Sequence, residues 1–138
     1  MLTSSQDLCR HYQDVQTRTA SQGRLVLMLY EGAINFIKVA EERIAENDIE
    51  GKGLYLGKAR RVIAELRSSL DFEKGGEIAI NLERLYAFLS REITKVNMTN
   101  DSALLAPVLE ILANLEDGWK QVVRVEEGGE APRTSPAP

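Results

Sequence analysis

The sequence predicts an all-α protein, an antiparallel up-down-up-down four-helix bundle with a short N-terminal leader segment. Four stretches space their apolar residues by three and four positions, as bundle helices do. The helix-favouring residues Ala, Leu, Glu, Arg and Lys dominate the 138-residue chain. Short connections between the stretches make consecutive helices antiparallel neighbours. We therefore expect a leader over 1–18, a bundle over 19–125 and a disordered tail over 126–138.

The leader has a single apolar face in an otherwise polar segment. Leu8, Tyr12 and Val15 would share one side of a short helix. A segment of this length is too short to be stable as an isolated helix. Two interpretations therefore remain open: a frayed terminus, or a tethered helical segment that docks onto the bundle.

The first predicted helix, over residues 19–46, is more apolar than an ordinary surface helix. Small hydroxyl residues at its start are typical of helix caps, and six consecutive apolar residues follow from Leu25 to Tyr30. A surface helix has one apolar stripe, so this helix either lies deep in a core or keeps one face for something else to cover. The residues expected to face the bundle are Leu29, Ala33 and Ile37. Part of the run and Ile34 are expected to form the wall of a groove.

The second and third predicted helices are separated by a glycine-rich reversal. The second helix covers residues 54–70, after a connection that Gly51 and Gly53 loosen. Gly75 and Gly76 then allow a tight turn before the third helix, over 77–96. The apolar residues of this third helix alternate steps of four and three, which predicts a core stripe. They are Ile78, Leu82, Leu85, Leu89, Ile93 and Val96.

The fourth predicted helix follows a break at residues 97–100, and Asp101 is suited to cap its start. Pro107 conflicts with a regular first turn, because it lacks a backbone donor and crowds the preceding turn. We expect a kinked first turn, or a regular helix that begins only near Ala106. Its predicted core stripe comprises Leu105, Val108, Leu112, Leu115, Trp119 and Val122.

No catalytic, metal-binding or cofactor-binding residues are predicted. His11 is the only histidine and Cys9 the only cysteine, so the sequence offers neither a zinc cluster nor the Glu-x-x-His pairs of a di-iron bundle. No phosphate-binding loop is present. We therefore do not expect the chain to be an enzyme.

Charge and hydropathy narrow the class of partner. The net charge of −4 disfavours nucleic acid, which needs a basic surface. The longest apolar run has six residues, whereas a membrane helix needs roughly 20. The first residues also lack the apolar region of a signal peptide. We expect a cytoplasmic protein with no nucleic-acid partner and no membrane insertion.

The chain contains more apolar residues than one stripe per helix can bury in a bundle of this size. The additional residues on the third and fourth helices are Ile80, Tyr86, Phe88, Leu104, Leu109 and Ile111. This surplus predicts grooves between helices, occupied by the leader, by another subunit or by a partner peptide.

Three blocks of the sequence resemble the signatures of the flagellar secretion chaperones, the FliS family. The first block is YQDVQTRTASQGRLVLMLYEGAINFI, in which a tyrosine-bearing leader precedes a cap and an apolar run. The second is LDFEKGGEIAINLERLY, and the third joins Asn100-Asp101 to GWKQV at 118–122. The blocks stand in the family's order and spacing, and they extend from residue 12 to about residue 123.

The resemblance implies a cytosolic export chaperone. Its partner would be the disordered C-terminal segment of flagellin, which wraps around the bundle partly as helices in apolar grooves. The chaperone would stop flagellin from polymerising early and aid its delivery to the export gate of the flagellar type III secretion apparatus. The leader would cover part of the same surface when no client is bound. We expect a monomer or weak homodimer; the alternative is a bundle whose grooves mediate homo-oligomerisation without a client.

Apolar patterning and the resemblance together predict a set of partner-binding residues on the leader, the first helix and the third helix. They are Tyr12, Leu25, Leu29, Tyr30, Ile34, Ile78, Asn81, Leu82, Leu85 and Tyr86. Which of them contact client and which are core stays open, although Tyr12 and Asn81 carry polar atoms suited to contacts. Trp119 matches the third block, and its place on the main stripe favours the core.

Two positions depart from the family pattern. Gln22-Gly23 stands where the family commonly opens its first helix with proline, so we expect a looser first turn there. Pro107 stands where a helix-compatible, often acidic, residue is usual.

Overall fold

The computed structural model describes residues 22–128, which form four α-helices and one short 3₁₀ turn without any strand. The helices are α1 (Gln22–Ala45), α2 (Ile49–Ser68), α3 (Phe72–Thr99) and α4 (Leu105–Glu126), and the 3₁₀ turn, Ser102–Leu104, precedes α4. The predicted all-α bundle is thereby confirmed. The leader with Tyr12, and the tail from residue 129 onward, lie outside the described residues.

The helices are packed unevenly around the bundle. α1 packs closely against both α2 and α4, and α3 packs against α2, whereas contact between α3 and α4 is sparse. The start of α1 meets the end of α4, where Arg24 Nε donates to Glu127 Oε2 over 2.8 Å. The end of α2 meets the first half of α3, where Arg67 pairs with Glu83 over 2.7 Å. Neighbouring helices are therefore antiparallel, and one seam of the bundle is left loosely closed.

The unusual apolar character of α1 follows from its central position. Tyr30, Ala33, Ile37 and Ala40 are completely buried and Leu29 nearly so. A helix between two others must bury two sides, which widens its apolar surface beyond a single stripe. The first alternative for this helix, a place deep in the core, accounts for most of its apolar residues. The prediction that Leu29, Ala33 and Ile37 face the bundle is confirmed.

Two helices begin earlier than the sequence analysis predicted. α2 starts at Ile49 rather than at residue 54, because Asp48 caps it by accepting from the Gly51 N–H over 2.9 Å. A side chain at position 51 would collide with that carboxylate, so this glycine serves the cap and does not loosen a connection.

The predicted reversal before the third helix is also shorter than expected. α3 begins at Phe72, capped by Asp71, whose carboxylate accepts from the Lys74 N–H over 3.0 Å. One helical turn later the chain kinks at Gly76, where φ is 52° and ψ is −124°. Side-chain-bearing residues rarely adopt this backbone conformation, so Gly76 sets the angle between the first turn of α3 and its long remainder.

The start of α4 accommodates Pro107 without a kink inside the helix. Asp101 caps the preceding 3₁₀ turn by accepting from the Ala103 N–H over 3.3 Å. The α-helix then starts at Leu105, one residue before the predicted Ala106. Pro107 is its third residue, where a backbone N–H would have no partner within the helix, so proline is tolerated.

Buried and cross-helix polar contacts fix both ends of the bundle. Lys52 is the one charged residue among those described that is buried, and its Nζ donates to Asn97 O over 3.0 Å and Asn100 Oδ1 over 2.6 Å. At the other end, the Gly23 N–H donates to Glu126 Oε1 over 3.2 Å. A proline at position 23 would lack this donor, so the first turn of α1, expected to be looser, is held against α4.

Candidate binding groove

The predicted core stripe of α3 is buried in its second half only. Leu89, Ile93 and Val96 are completely buried, whereas Ile78 is 71% exposed and Leu82 is half-buried. The prediction that Ile78 belongs to the core is therefore wrong. The buried residues at this end are instead Ala79 and Tyr86, each one position further along the chain. The side of α3 that carries Ile78 is turned away from the packed interior.

In α4 the predicted core stripe is buried in the first half of the helix and partly exposed in the second half. Leu105, Val108 and Leu112 are completely buried, while Trp119 is half-buried and Val122 is exposed. Because α3 and α4 are antiparallel, the open half of α4 lies at the same end of the bundle as the open half of α3. The apolar surplus predicted from sequence is therefore concentrated at the end where these two helices separate.

A groove of about 340 Å³ lies at this end; we call it the lateral groove. Its lining is predominantly apolar, with polar side chains at one end. The apolar lining residues are Val26, Leu70, Ile78, Ala79, Leu82, Tyr86 and Trp119, and the remaining ones are Gln22, Ser69, Asp71, Lys74 and Gly75. The groove thus draws on α1, the α2–α3 turn, α3 and α4. The cap at Asp71 and the kink at Gly76 position the turn that forms its polar end.

A buried pair of tyrosines supports the groove from below. Tyr86, whose ring is part of the lining, forms a hydroxyl–hydroxyl hydrogen bond with Tyr30 of α1. The two ring centroids lie 6.5 Å apart with the planes tilted by 44°. The floor of the groove is therefore a hydrogen-bonded hydroxyl pair enclosed in apolar surroundings, which fixes the ring positions.

Burial raises the pKa of both tyrosines. Desolvation is the largest cause for Tyr30 and for Tyr86, since the phenolate is the charged form that a dry site disfavours. The hydrogen bond to Tyr30 raises the pKa of Tyr86 further, while the hydrogen bond to Tyr86 and the nearby Trp119 side chain oppose the rise in the pKa of Tyr30. Both phenols therefore have a pKa above their ordinary 10.0 in the folded protein and keep their protons to higher pH.

We expect the bundle to lose stability at alkaline pH through this pair. In the unfolded chain each phenol ionises near pH 10, but in the folded protein it holds its proton. The stability that neutral tyrosines contribute is thus complete below pH 10 and declines above it, by up to about 1.4 kcal/mol per pH unit for each tyrosine. Urea unfolding between about pH 9 and pH 11 measures the slope. A Tyr30→Phe/Tyr86→Phe variant should show a shallower decline, and an identical slope in both proteins would contradict the assignment.

The structure brings together some of the predicted partner-binding residues and separates others. Ile78, Leu82 and Tyr86 line the lateral groove. Leu25, Leu29 and Tyr30 are buried, so they support the bundle from inside. Asn81 is exposed and Leu85 half-buried on α3, outside the groove lining, and Ile34 packs half-buried against the core. Tyr12 lies outside the described residues.

Nine of the twelve lining residues are not among the predicted contacts, and three of these nine contribute large apolar side chains: Val26, Leu70 and Trp119. Val26 and Leu70 were absent from the predicted set, and Trp119 was assigned to the core. Trp119 does pack against the core, but its other side lines the groove. Their position in the fold is the signal that could have identified them, because all three lie at the bundle end where Gly76 kinks α3.

The lateral groove is suited to binding and not to bond chemistry. Its lining holds one carboxylate and one amine but no histidine or cysteine. Within residues 22–128 no cluster of three or more potential metal ligands exists, and none of the helices there is long and apolar enough to cross a membrane. The free energy available in the groove comes from removing apolar side chains from water.

Comparison with known proteins gives consistent matches. The family model described as Flagellar protein FliS matches residues 5–126. The chain is similar to the flagellar secretion chaperone FliS of Vibrio cholerae, with 39% identity over 109 residues, 79% of this chain and 80% of that protein. It is 34% identical to FliS of Bacillus subtilis over 115 residues, with 83% and 85% covered. It is 35% identical to the flagellar secretion chaperone FliSB of Pseudomonas aeruginosa over 114 residues, with 80% and 90% covered. The family match includes all four helices and the whole lining of the lateral groove.

Proposed function

The chain belongs to the FliS family of flagellar proteins, and from this premise we propose that it is a cytoplasmic export chaperone for flagellin. The disordered C-terminal segment of flagellin folds into the lateral groove. Binding keeps flagellin from polymerising before export and aids its delivery to the flagellar type III secretion apparatus, whose export gate is a further partner.

The observation that carries the proposal is the open apolar seam between α3 and α4. A monomer rarely leaves apolar side chains grouped in a groove unless a partner covers them. Ile78 contributes the most exposed apolar side chain of the lining, and Leu82 and Trp119 stand half-buried beside it. A disordered segment can cover such a groove by folding an apolar face into it, because burial then offsets the cost of ordering.

The predicted residues take different roles in this proposal. Ile78 and Leu82, with Val26 and Trp119, contact the client directly. Asn81 and Leu85 stand on the same face of α3, three and seven positions after Ile78, and extend the contact along the helix. Leu25, Leu29 and Tyr30 are buried and contribute indirectly, because they hold the residues under the lateral groove in position. Ile34 contacts the client where the client passes along α1. The functional unit is a monomer or a weak homodimer.

A flagellin C-terminal fragment from the same organism provides the direct test. We expect calorimetry to show binding at micromolar concentration or tighter, with a negative heat-capacity change from apolar burial. Circular dichroism should show helix gained by the fragment. Trp119 is the only tryptophan of the chain, so its fluorescence should report occupation of the groove.

Two results would contradict the proposal. One is a fragment that fails to bind at micromolar protein or stays unstructured when bound. The other is a concentration-dependent oligomer in sedimentation that the fragment does not disturb, because the grooves would then mediate homo-oligomerisation.

A further inference from the structure

A second cleft, on the other side of α3, has an entirely different chemistry. It lies between α2 and α3, has a volume of about 680 Å³ and is lined by ten residues of these two helices. Five of them are cationic and none is acidic: Arg60, Arg61, Arg67, Arg91 and Lys95. We call this the basic cleft. It shares no lining residue with the lateral groove.

The positive charge of the basic cleft is only partly neutralised within the described part of the chain. Arg67 pairs with Glu83 over 2.7 Å, and Lys95 pairs with Glu92 over 2.9 Å. No ion pair within 22–128 involves Arg60, Arg61 or Arg91, and all three are exposed. Three guanidinium groups from two helices therefore face one cleft on a chain whose net charge is −4.

The floor of the basic cleft allows close approach. Gly57 and Ala64 stand seven residues apart on α2 and contribute little bulk, and Met98 adds a flexible apolar side chain from α3. The Ser90 hydroxyl offers a hydrogen-bond donor on the α3 wall, whereas the Thr94 hydroxyl already donates to Ser90 O over 3.0 Å. The cleft thus combines a shallow, partly apolar floor with cationic walls.

We propose that the basic cleft is a second docking site, which binds an acidic segment of a partner protein while the lateral groove holds its own occupant. Guanidinium groups bind carboxylates in a bidentate geometry that suits a row of Glu or Asp side chains. A protein segment fits better than nucleic acid, because the acidic remainder of the chain repels a polyphosphate beyond the cleft.

The test uses the full chain and a fluorescein-labelled Glu/Ala-rich helical peptide of roughly 20 residues, about 30 Å long. We expect binding at sub-millimolar concentration that weakens as salt shortens the screening length. An Arg60→Gln/Arg91→Gln variant should bind at least tenfold more weakly. The matched control is Arg84→Gln/Arg124→Gln, which removes the same charge from exposed arginines outside the cleft and should change affinity less than twofold.

Several outcomes would overturn the proposal. Failure of the peptide to bind, or equal weakening in both variants, would leave no specific acidic site. Tighter binding of a single-stranded oligonucleotide than of the peptide would make the cleft a phosphate-binding surface. Displacement of the peptide by the flagellin fragment would make it part of the flagellin site. Normal flagellin binding by the Arg60→Gln/Arg91→Gln variant, with peptide binding lost, would support two separate sites.

Discussion

The Tyr30→Asp variant is expected to be largely unfolded. Tyr30 is completely buried inside the bundle, and its hydroxyl is hydrogen-bonded to the Tyr86 hydroxyl. Aspartate would leave a cavity where the ring stood, place a carboxylate in an apolar interior and remove the partner of the Tyr86 hydroxyl. Together these effects should cost at least about 5 kcal/mol, comparable with the whole stability of a small domain. Circular dichroism and urea unfolding measure the loss.

Removing only the hydroxyls separates the polar contact from the packing. Tyr30→Phe should cost about 1–2 kcal/mol, because it leaves the Tyr86 hydroxyl short of a partner in a buried site. Tyr30→Phe/Tyr86→Phe should be close to the wild type, since neither hydroxyl then remains to be satisfied. A cooperative Tyr30→Asp protein within about 1 kcal/mol of the wild type would refute a core position for Tyr30.

Apolar periodicity was sufficient to predict the helices and the packed half of the core. The residues that follow the 3-4 pattern through Leu89, Ile93 and Val96 are buried where predicted, as are those from Leu105 to Leu112. This succeeds because burial on a helix repeats with the helical period wherever a neighbouring helix covers one face.

The same periodicity wrongly predicted that Ile78 is buried, and the reason lies in the tertiary structure. The sequence repeats its apolar residues to the start of α3, but contact between α3 and α4 is sparse and Ile78 is left uncovered. Tyr86 is buried instead, because Tyr30, 56 positions away, supplies a partner for its hydroxyl. Local periodicity predicts neither the separation of two helices nor the pairing of side chains that are distant in sequence.

The predicted starts of α2 and α3 were wrong for a local reason. In the sequence, Gly51 and Gly53 predict a loosened connection and Gly75-Gly76 a tight reversal, but the caps that precede these glycines start both helices earlier. Asp48 and Asp71 each accept from a backbone N–H three residues later, which lets a helix begin ahead of the glycines. Of these four glycines, only Gly76 has the positive φ that interrupts a helix.

The Ile78→Asp variant should bind the flagellin fragment far more weakly while folding normally. Ile78 is 71% exposed, so its replacement removes little from the folded protein alone. In the complex proposed above, the isoleucine is buried by client, and a carboxylate in its place would have to shed its water. The combined loss should be at least about 2 kcal/mol, or roughly a 30-fold higher Kd. Calorimetry with wild type and variant measures it.

Ile49→Asp is the matched control, because the chain repeats the same situation at the other end of the bundle. Ile49 is 72% exposed, lies at the start of α2 and is not part of the lateral groove. Both substitutions add one negative charge near a helix start or kink, so a general effect of charge on flagellin binding would weaken both variants alike. If the lateral groove binds flagellin, only Ile78→Asp loses affinity. Equal affinities for the two variants would place the client elsewhere, even if flagellin binding itself is strong.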